Sequence, residues 1–281
     1  MKRSFVLISL ASIISFILAC DHPTKHYSSM GCTPNALDPE TGCPLSYNCP
    51  NLSNRQDNQC HLNGKTYNIG ETVPSEETSS SCIALASCNR IVENQPSKFI
   101  YAHIDCAEFF RPRKPGCVLQ YKPASCCSSK EVCGKNKTRL VTCTIGETTF
   151  YEGERMQIPG KPCQTCICTA DFNLAQTDSN EYCYEDKCSF EIFADEKLYG
   201  GAAPVFKQGF CCPWTWRMPK VTDKLALSSK VVDKSDQKCV YGSLTLEIGE
   251  FLEPINENGD VVNCKCAIPP LVHCSMGSAD S

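Results

Sequence analysis

Apolar and polar positions alternate along this chain in short bursts, and one burst differs from all the others. Phe5 to Leu18 is an apolar stretch broken only by serines and Ala11, behind a basic head of Lys2 and Arg3 and ahead of the polar Asp21-His22-Pro23. A basic start, a short apolar run and a polar exit read as a secretory signal peptide. The run is shorter than the ~20 residues a membrane-spanning helix needs, and no later segment is apolar enough to cross, so no membrane span is expected. After it the pattern is that of short hairpins. Asn63-Gly64, a favoured two-residue turn, is followed by Lys65-Thr-Tyr-Asn-Ile69. Thr142 to Ile145, Gly146, then Thr148 to Tyr151 repeats strand, turn and strand, as do Val240-Tyr241, Gly242 and Leu244 to Ile248. No helical stripe is evident.

Cysteine gives these hairpins a common frame. The chain has 24 among 281 residues. Cys60, Cys143 and Cys239 are each followed ten residues on by a Gly-Glu pair: Gly70-Glu71, Gly153-Glu154 and Gly249-Glu250. The glycine is expected in a turn that excludes a Cβ. Behind a signal peptide such a cysteine load predicts a disulfide framework. Zinc is the rival, through Cys163-x-x-Cys166-x-Cys168, but the five histidines are scattered and show no paired ligand spacing. No metal and no cofactor are expected.

Parity organises the chain. Cys60, Cys82, Cys88, Cys106, Cys117, Cys126, Cys127 and Cys133 form one even block, and Cys143, Cys163, Cys166, Cys168, Cys183, Cys188, Cys211 and Cys212 a second. Cys239, Cys264, Cys266 and Cys274 form a third. The N-terminal set, Cys32, Cys43 and Cys49, is even only if Cys20 is retained. Cleavage after Ala19 keeps it; cleavage after Cys20 leaves an odd thiol. Adjacent Cys126-Cys127 and Cys211-Cys212 are expected to tie two different strands to one point, and the Cys166/Cys168 and Cys264/Cys266 pairs to reach two partners from one face. The pairing itself stays open, since eight cysteines allow 105 combinations.

The expected organisation is a signal peptide at 1–19, a Cys/Pro-rich segment at 20–59 ordered by its cysteines, modules at 60–134 and 135–217, a polar linker at 218–238, and a shorter module at 239–281 with a disordered tail from Gly277. The fold class is small, disulfide-rich and mostly β. Tandem short hairpin modules with little helix are expected in an elongated multi-domain arrangement. Modules of this size bury too little apolar surface to stand without staples. Each disulfide contributes about 2–4 kcal/mol, so three or four rival the stability of a small domain.

The second module, Cys143, Gly153-Glu154, Cys163-x-x-Cys166-x-Cys168, Cys183, Cys188 and Gly209-Phe-Cys211-Cys212-Pro213, resembles the von Willebrand factor type C module. The first module resembles it more loosely, with Cys82-x5-Cys88 for the compact CxxCxC. The third keeps Cys239, Gly249-Glu250 and Cys264-x-Cys266, with Val261 where the first cysteine of CxxCxC would fall. Trp214 and Trp216 stand where the family closes with a cysteine. The resemblance implies a secreted, multi-module protein similar to chordin- and kielin-like proteins. It implies an extracellular protein ligand: a growth factor of the transforming-growth-factor-β and bone-morphogenetic-protein class, or a matrix partner.

Candidate contact residues are Tyr67, Ile69, Phe150, Tyr151, Trp214 and Trp216, aromatic or apolar groups on hairpins and loops. For the two tryptophans the alternative is packing in place of the missing staple. With 27 basic and 31 acidic residues there is no general pull toward nucleic acid. Arg111-Pro-Arg-Lys114, and Lys130 with Lys135, Lys137 and Arg139, are local basic patches that suit a glycosaminoglycan or are solvated loop charge. Asn51 and Asn136 lie in N-glycosylation sequons. No GxSxG, HExxH or phosphate-loop motif occurs, and no catalytic residue is expected. Alternatives to growth-factor binding are a protease inhibitor presenting Arg111 to Lys114, or a structural or defence protein like the single-module arthropod relatives of the family.

Overall fold

The computed structural model describes residues 20–278 apart from 21, 54, 79, 112, 228–235 and 258. The expected signal peptide lies outside the described residues. Short antiparallel hairpins dominate, and twelve disulfides engage every described cysteine. The protein is thus mostly β and disulfide-rich. Among the described residues no helix is long and apolar enough to cross a membrane. Both features are compatible with an extracellular protein.

One small unit occurs three times. It opens with a hairpin: Gln59–Leu62 on Lys65–Asn68, Thr142–Ile145 on Thr148–Tyr151, and Cys239–Tyr241 on Leu244–Leu246. In the first, Leu62 pairs with Lys65 across Asn63 and Gly64, whose φ of 51° and 76° suit a two-residue turn. The Gly-Glu pair comes next. Gly70, Gly153 and Gly249 have φ of 92°, 86° and 97°, a region L side chains avoid. Their N–H groups donate to the carbonyls of Cys88, Cys168 and Cys266 at 2.8, 2.8 and 2.9 Å. Those cysteines return an N–H to Glu71, Glu154 and Glu250 at 2.9, 2.9 and 2.8 Å. Each glutamate carboxylate accepts from the N–H three residues back, on Asn68, Tyr151 or Glu247, at 2.7, 2.9 or 2.8 Å. The same three cysteines bond to the hairpins, in Cys60–Cys88, Cys143–Cys168 and Cys239–Cys266. The repeated spacing is therefore a latch: a turn, a carboxylate cap and a covalent bond meeting at one residue.

Every cysteine block pairs within itself. Cys82–Cys126, Cys106–Cys127 and Cys117–Cys133 complete the first, and Cys163–Cys211, Cys166–Cys183 and Cys188–Cys212 the second. Cys264–Cys274 completes the third. Cys20–Cys43 and Cys32–Cys49 close the N-terminal set, so Cys20 belongs to the framework.

The units interlock instead of standing apart. Ala203–Lys207 of the second unit runs parallel to His273–Ser278 of the third, with Val205 opposite Cys274, in one five-stranded sheet. Gly277 and Ser278, expected to be disordered, lie in that strand, and 279–281 fall outside the described residues. A shared core joins Tyr27, Met30 and Tyr47 to Phe190, Leu198, Trp216, Ile268 and Leu271. The Tyr27 hydroxyl donates to the Ile268 carbonyl at 2.6 Å and accepts the Leu271 N–H at 2.9 Å. The N-terminal segment is therefore ordered by burial and by a short helix, Lys25–Ser29, as well as by its cysteines. The first half of the expected linker is also ordered. Asp223 accepts from Arg217 at 2.6 Å, from the Lys220 N–H at 2.7 Å and from the Tyr241 hydroxyl at 3.1 Å, and Leu225 bridges to Leu252. Residues 228–235 lie outside the described residues.

A ten-residue helix, Phe190–Tyr199, is the element the sequence reading lacked. It serves two cores at once. Ile192 enters the core of the first unit, while Phe190 and Leu198 enter the shared core. Apolar residues divided between two faces make no single stripe. Glu191 is buried between them, paired with Arg55 and accepting the Asn63 N–H at 2.8 Å. His61 is buried beside this pair, 3.3 Å from the Tyr199 hydroxyl. Burial and the Arg55 charge push its pKa down to about 4.

The seam between the first and second units is equally close. The Tyr121 N–H donates to Gly153 at 2.8 Å, and a Cβ on Gly153 would stand 2.6 Å from the Gln120 Cβ. Gly153→Ala should therefore cost about 2–4 kcal/mol, combining a left-handed backbone with overpacking. Gly146→Ala, also at positive φ but with nothing within 4 Å, should cost about 1–2 kcal/mol. Urea unfolding ranks the two. For His61, the unfolded imidazole takes up a proton before the folded one does, so stability is full above pH 6.5 and falls as pH drops toward 4. The loss should approach about 3 kcal/mol. Unfolding midpoints across that range should slope less steeply in His61→Gln, the remainder coming from buried His26 and His273.

Candidate binding surface

The turn joining Ala203–Lys207 to Thr215–Arg217 is pinned twice, through Cys211 to Cys163 and through Cys212 to Cys188. Gly209 takes φ of 83° within it, and the Phe210 N–H donates to Lys207 at 3.1 Å. The Trp214 N–H donates to Val205 at 2.8 Å. Trp214 precedes the paired strand and stays 54% exposed, its ring 4.9 Å from that of Phe210, itself 45% exposed. The Lys207 ammonium sits 5.5 Å from the Trp214 ring centroid. Such a cation over an indole face is attracted by the ring quadrupole. The exposed aromatic pair is thus flanked by a cation and held in place by two disulfides.

Trp216 is different. It pairs with Pro204 inside the strand, is buried and lies 5.2 Å from the Phe190 ring. It packs, as the alternative for the tryptophans anticipated, while Trp214 does not. Tyr67 is also in a core, edge-on to Phe99, with its hydroxyl donating to Glu77 at 2.7 Å. Tyr67 and Trp216 are therefore removed from the expected contact set by burial. Ile69 is exposed beyond the first hairpin. Phe150 and Tyr151 are half-buried: Phe150 packs on the second unit's core, and Tyr151 lies 4.3 Å beneath the Lys137 ammonium. Ile69, Phe150 with Tyr151, and Trp214 thus lie on or beside three different hairpins.

A second aromatic surface was missed. Phe109 and Phe110, 64% and 71% exposed, end the short helix Ala107–Phe110 and lead into Arg111, Arg113 and Lys114. The segment is bounded by Cys106, bonded to Cys127, and Cys117, bonded to Cys133. Its sequence signal was the pair of phenylalanines beside the basic run. Acidic neighbours temper the charge, with Lys114 3.4 Å from Glu131 and Arg113 3.9 Å from Glu154. In the other basic patch Lys130, Lys135 and Arg139 are exposed. Asn136 is exposed in the helix Gly134–Lys137, whereas the side chain of Asn51 lies outside the described residues.

The thiol-metal reading fails chemically. Cys163, Cys166 and Cys168 are bonded to Cys211, Cys183 and Cys143, and a disulfide offers no thiolate. A cavity of about 640 Å³ lies between the first two units against Arg155, Tyr184, Asp186 and several serines. Burial raises the Asp186 carboxyl, which accepts from the Thr165 hydroxyl at 2.9 Å. No family model, curated protein or solved structure matches this chain.

The two tryptophans should separate in solution. Acrylamide should quench Trp214 fluorescence strongly and Trp216 weakly, read in the single Trp→Phe variants. Trp216→Ala should cost about 3–5 kcal/mol and Trp214→Ala within about 0.5 kcal/mol.

Proposed function

We propose that this protein is a secreted, non-enzymatic binding protein that grips an extracellular protein ligand, a growth factor of the transforming-growth-factor-β class or a matrix component. The observation that carries the reading is Trp214. A large aromatic side chain stays in solvent, tilted against Phe210 and flanked by Lys207, on a turn anchored by two disulfides. Tryptophan contributes large contact area for little lost rotamer freedom, so it concentrates binding energy. The resemblance to type C modules is supported by the repeated latch and by corresponding disulfides in the first two units, Cys82–Cys126 beside Cys163–Cys211 and Cys106–Cys127 beside Cys188–Cys212. A non-enzymatic role is supported by the oxidation of every described cysteine and by the burial of His26, His61 and His273 in packing.

A pull-down of oxidised protein against purified growth-factor dimers and matrix proteins tests this. Trp214→Ala should reduce affinity at least tenfold with secretion unchanged. Retention of full affinity would remove Trp214 from the interface. The exposed, disulfide-bounded Phe109 to Lys114 segment favours a second reading, a protease-inhibitor loop or a glycan contact. Slow, tight inhibition of a trypsin-like protease, or salt-sensitive heparin retention lost in Arg113→Ser with Lys114→Ser, would identify it.

A further inference from the structure

Three histidines scattered in sequence meet at one place. His26 lies in the helix Lys25–Ser29, His273 begins the strand His273–Ser278, and His22 precedes Pro23. The rings of His26 and His273 have centroids 4.9 Å apart at an interplanar angle of 74°, and His22 is 6.3 Å from His273. Two imidazoles sharing a tetrahedral ion at a metal–nitrogen distance of about 2.0 Å place their centroids about 5 Å apart. The first pair already has that spacing. His22 is partly exposed at 6.3 Å from His273, and since the three rings do not yet converge on one point it has to move in to join the pair.

Polar accounting points the same way. His26 is fully buried with neither ring nitrogen hydrogen-bonded, and His273, 6% exposed, has only the Leu271 backbone acting on its ring. A neutral imidazole carries one donor and one acceptor, and buried polar atoms are rarely left unmet. Beside them is a cavity of about 350 Å³ lined by His22, Phe206, Phe251, His273 and Ser275. The cysteines nearby are oxidised, so the donors are nitrogen, a set that suits zinc or copper over calcium or magnesium.

We propose that His22, His26 and His273 bind one divalent transition-metal ion of the zinc or copper type, with the cavity holding a water at the fourth position. The ion would join the N-terminal segment to the last strand. The test is titration of chelator-treated, oxidised full-length protein with Zn²⁺ by calorimetry, and with Co²⁺ by visible absorption. One equivalent should bind, with tetrahedral cobalt bands, and equal concentrations of Ca²⁺ or Mg²⁺ should give no heat. His22→Ala should weaken Zn²⁺ binding at least tenfold with an unchanged unfolding midpoint in chelator. His26→Phe and His273→Phe should abolish it. Absence of saturable binding up to millimolar Zn²⁺ would overturn the proposal. So would binding that persists undiminished in His22→Ala, which would assign it to another surface such as His103.

Discussion

The carboxylate of Glu191 is the point on which the assembly of units turns. It is buried against Arg55 from the N-terminal segment, and it accepts a backbone N–H from the hairpin turn of the first unit, while its own helix belongs to the second. Burial raises its pKa, and Arg55 and the Asn63 N–H oppose that rise. An ion pair in such surroundings gains little over well-packed apolar groups, because desolvation offsets most of the attraction. Its value is selectivity. Only one docking of helix on hairpin brings all three groups together, and any other leaves a charge buried alone. Asn63 can serve because the turn requires φ of 51° there, which exposes an N–H that a strand residue would spend on its neighbour.

What could be read from sequence was what repeats locally. The ten-residue spacing from cysteine to Gly-Glu encodes a latch whose parts all lie within one unit, and Asn63-Gly64 encodes a turn that needs no distant partner. Cysteine parity also survived, because every bridge closes inside its own block. Interactions between units left no such trace. Ile192 and Phe190 point into different cores, so the helix between them shows no stripe. The segment from Met218 to Leu227 looks like a linker by composition. It is fixed by Asp223, a single polar residue whose partners lie up to eighteen positions away. Trp214 and Trp216 are two residues apart and chemically identical, and only the boundary of a short strand separates a solvent-facing ring from a packed one.

The division of labour follows from size. Each unit is too small to hold shape by hydrophobic burial alone, and the covalent bridges limit the freedom of its unfolded chain. Burial is then concentrated at the seams, where Tyr27, Trp216 and Leu271 share a core. Aromatic residues not used there, Phe109, Phe110, Phe210 and Trp214, remain on segments that disulfides already hold. Such a segment is already ordered, which under the proposed binding role would lower the cost of engaging a ligand.

The hydroxyl of Tyr27 reaches main-chain atoms 241 and 244 positions further along. During synthesis the chain grows from its first residue, so this ring must wait without its partners until Leu271 has emerged. Contacts of such long range slow folding, and any version halted before Ile268 would lack Ile268 and Leu271 over Tyr27, Tyr47 and Trp216, leaving an apolar patch as a natural handle for quality control.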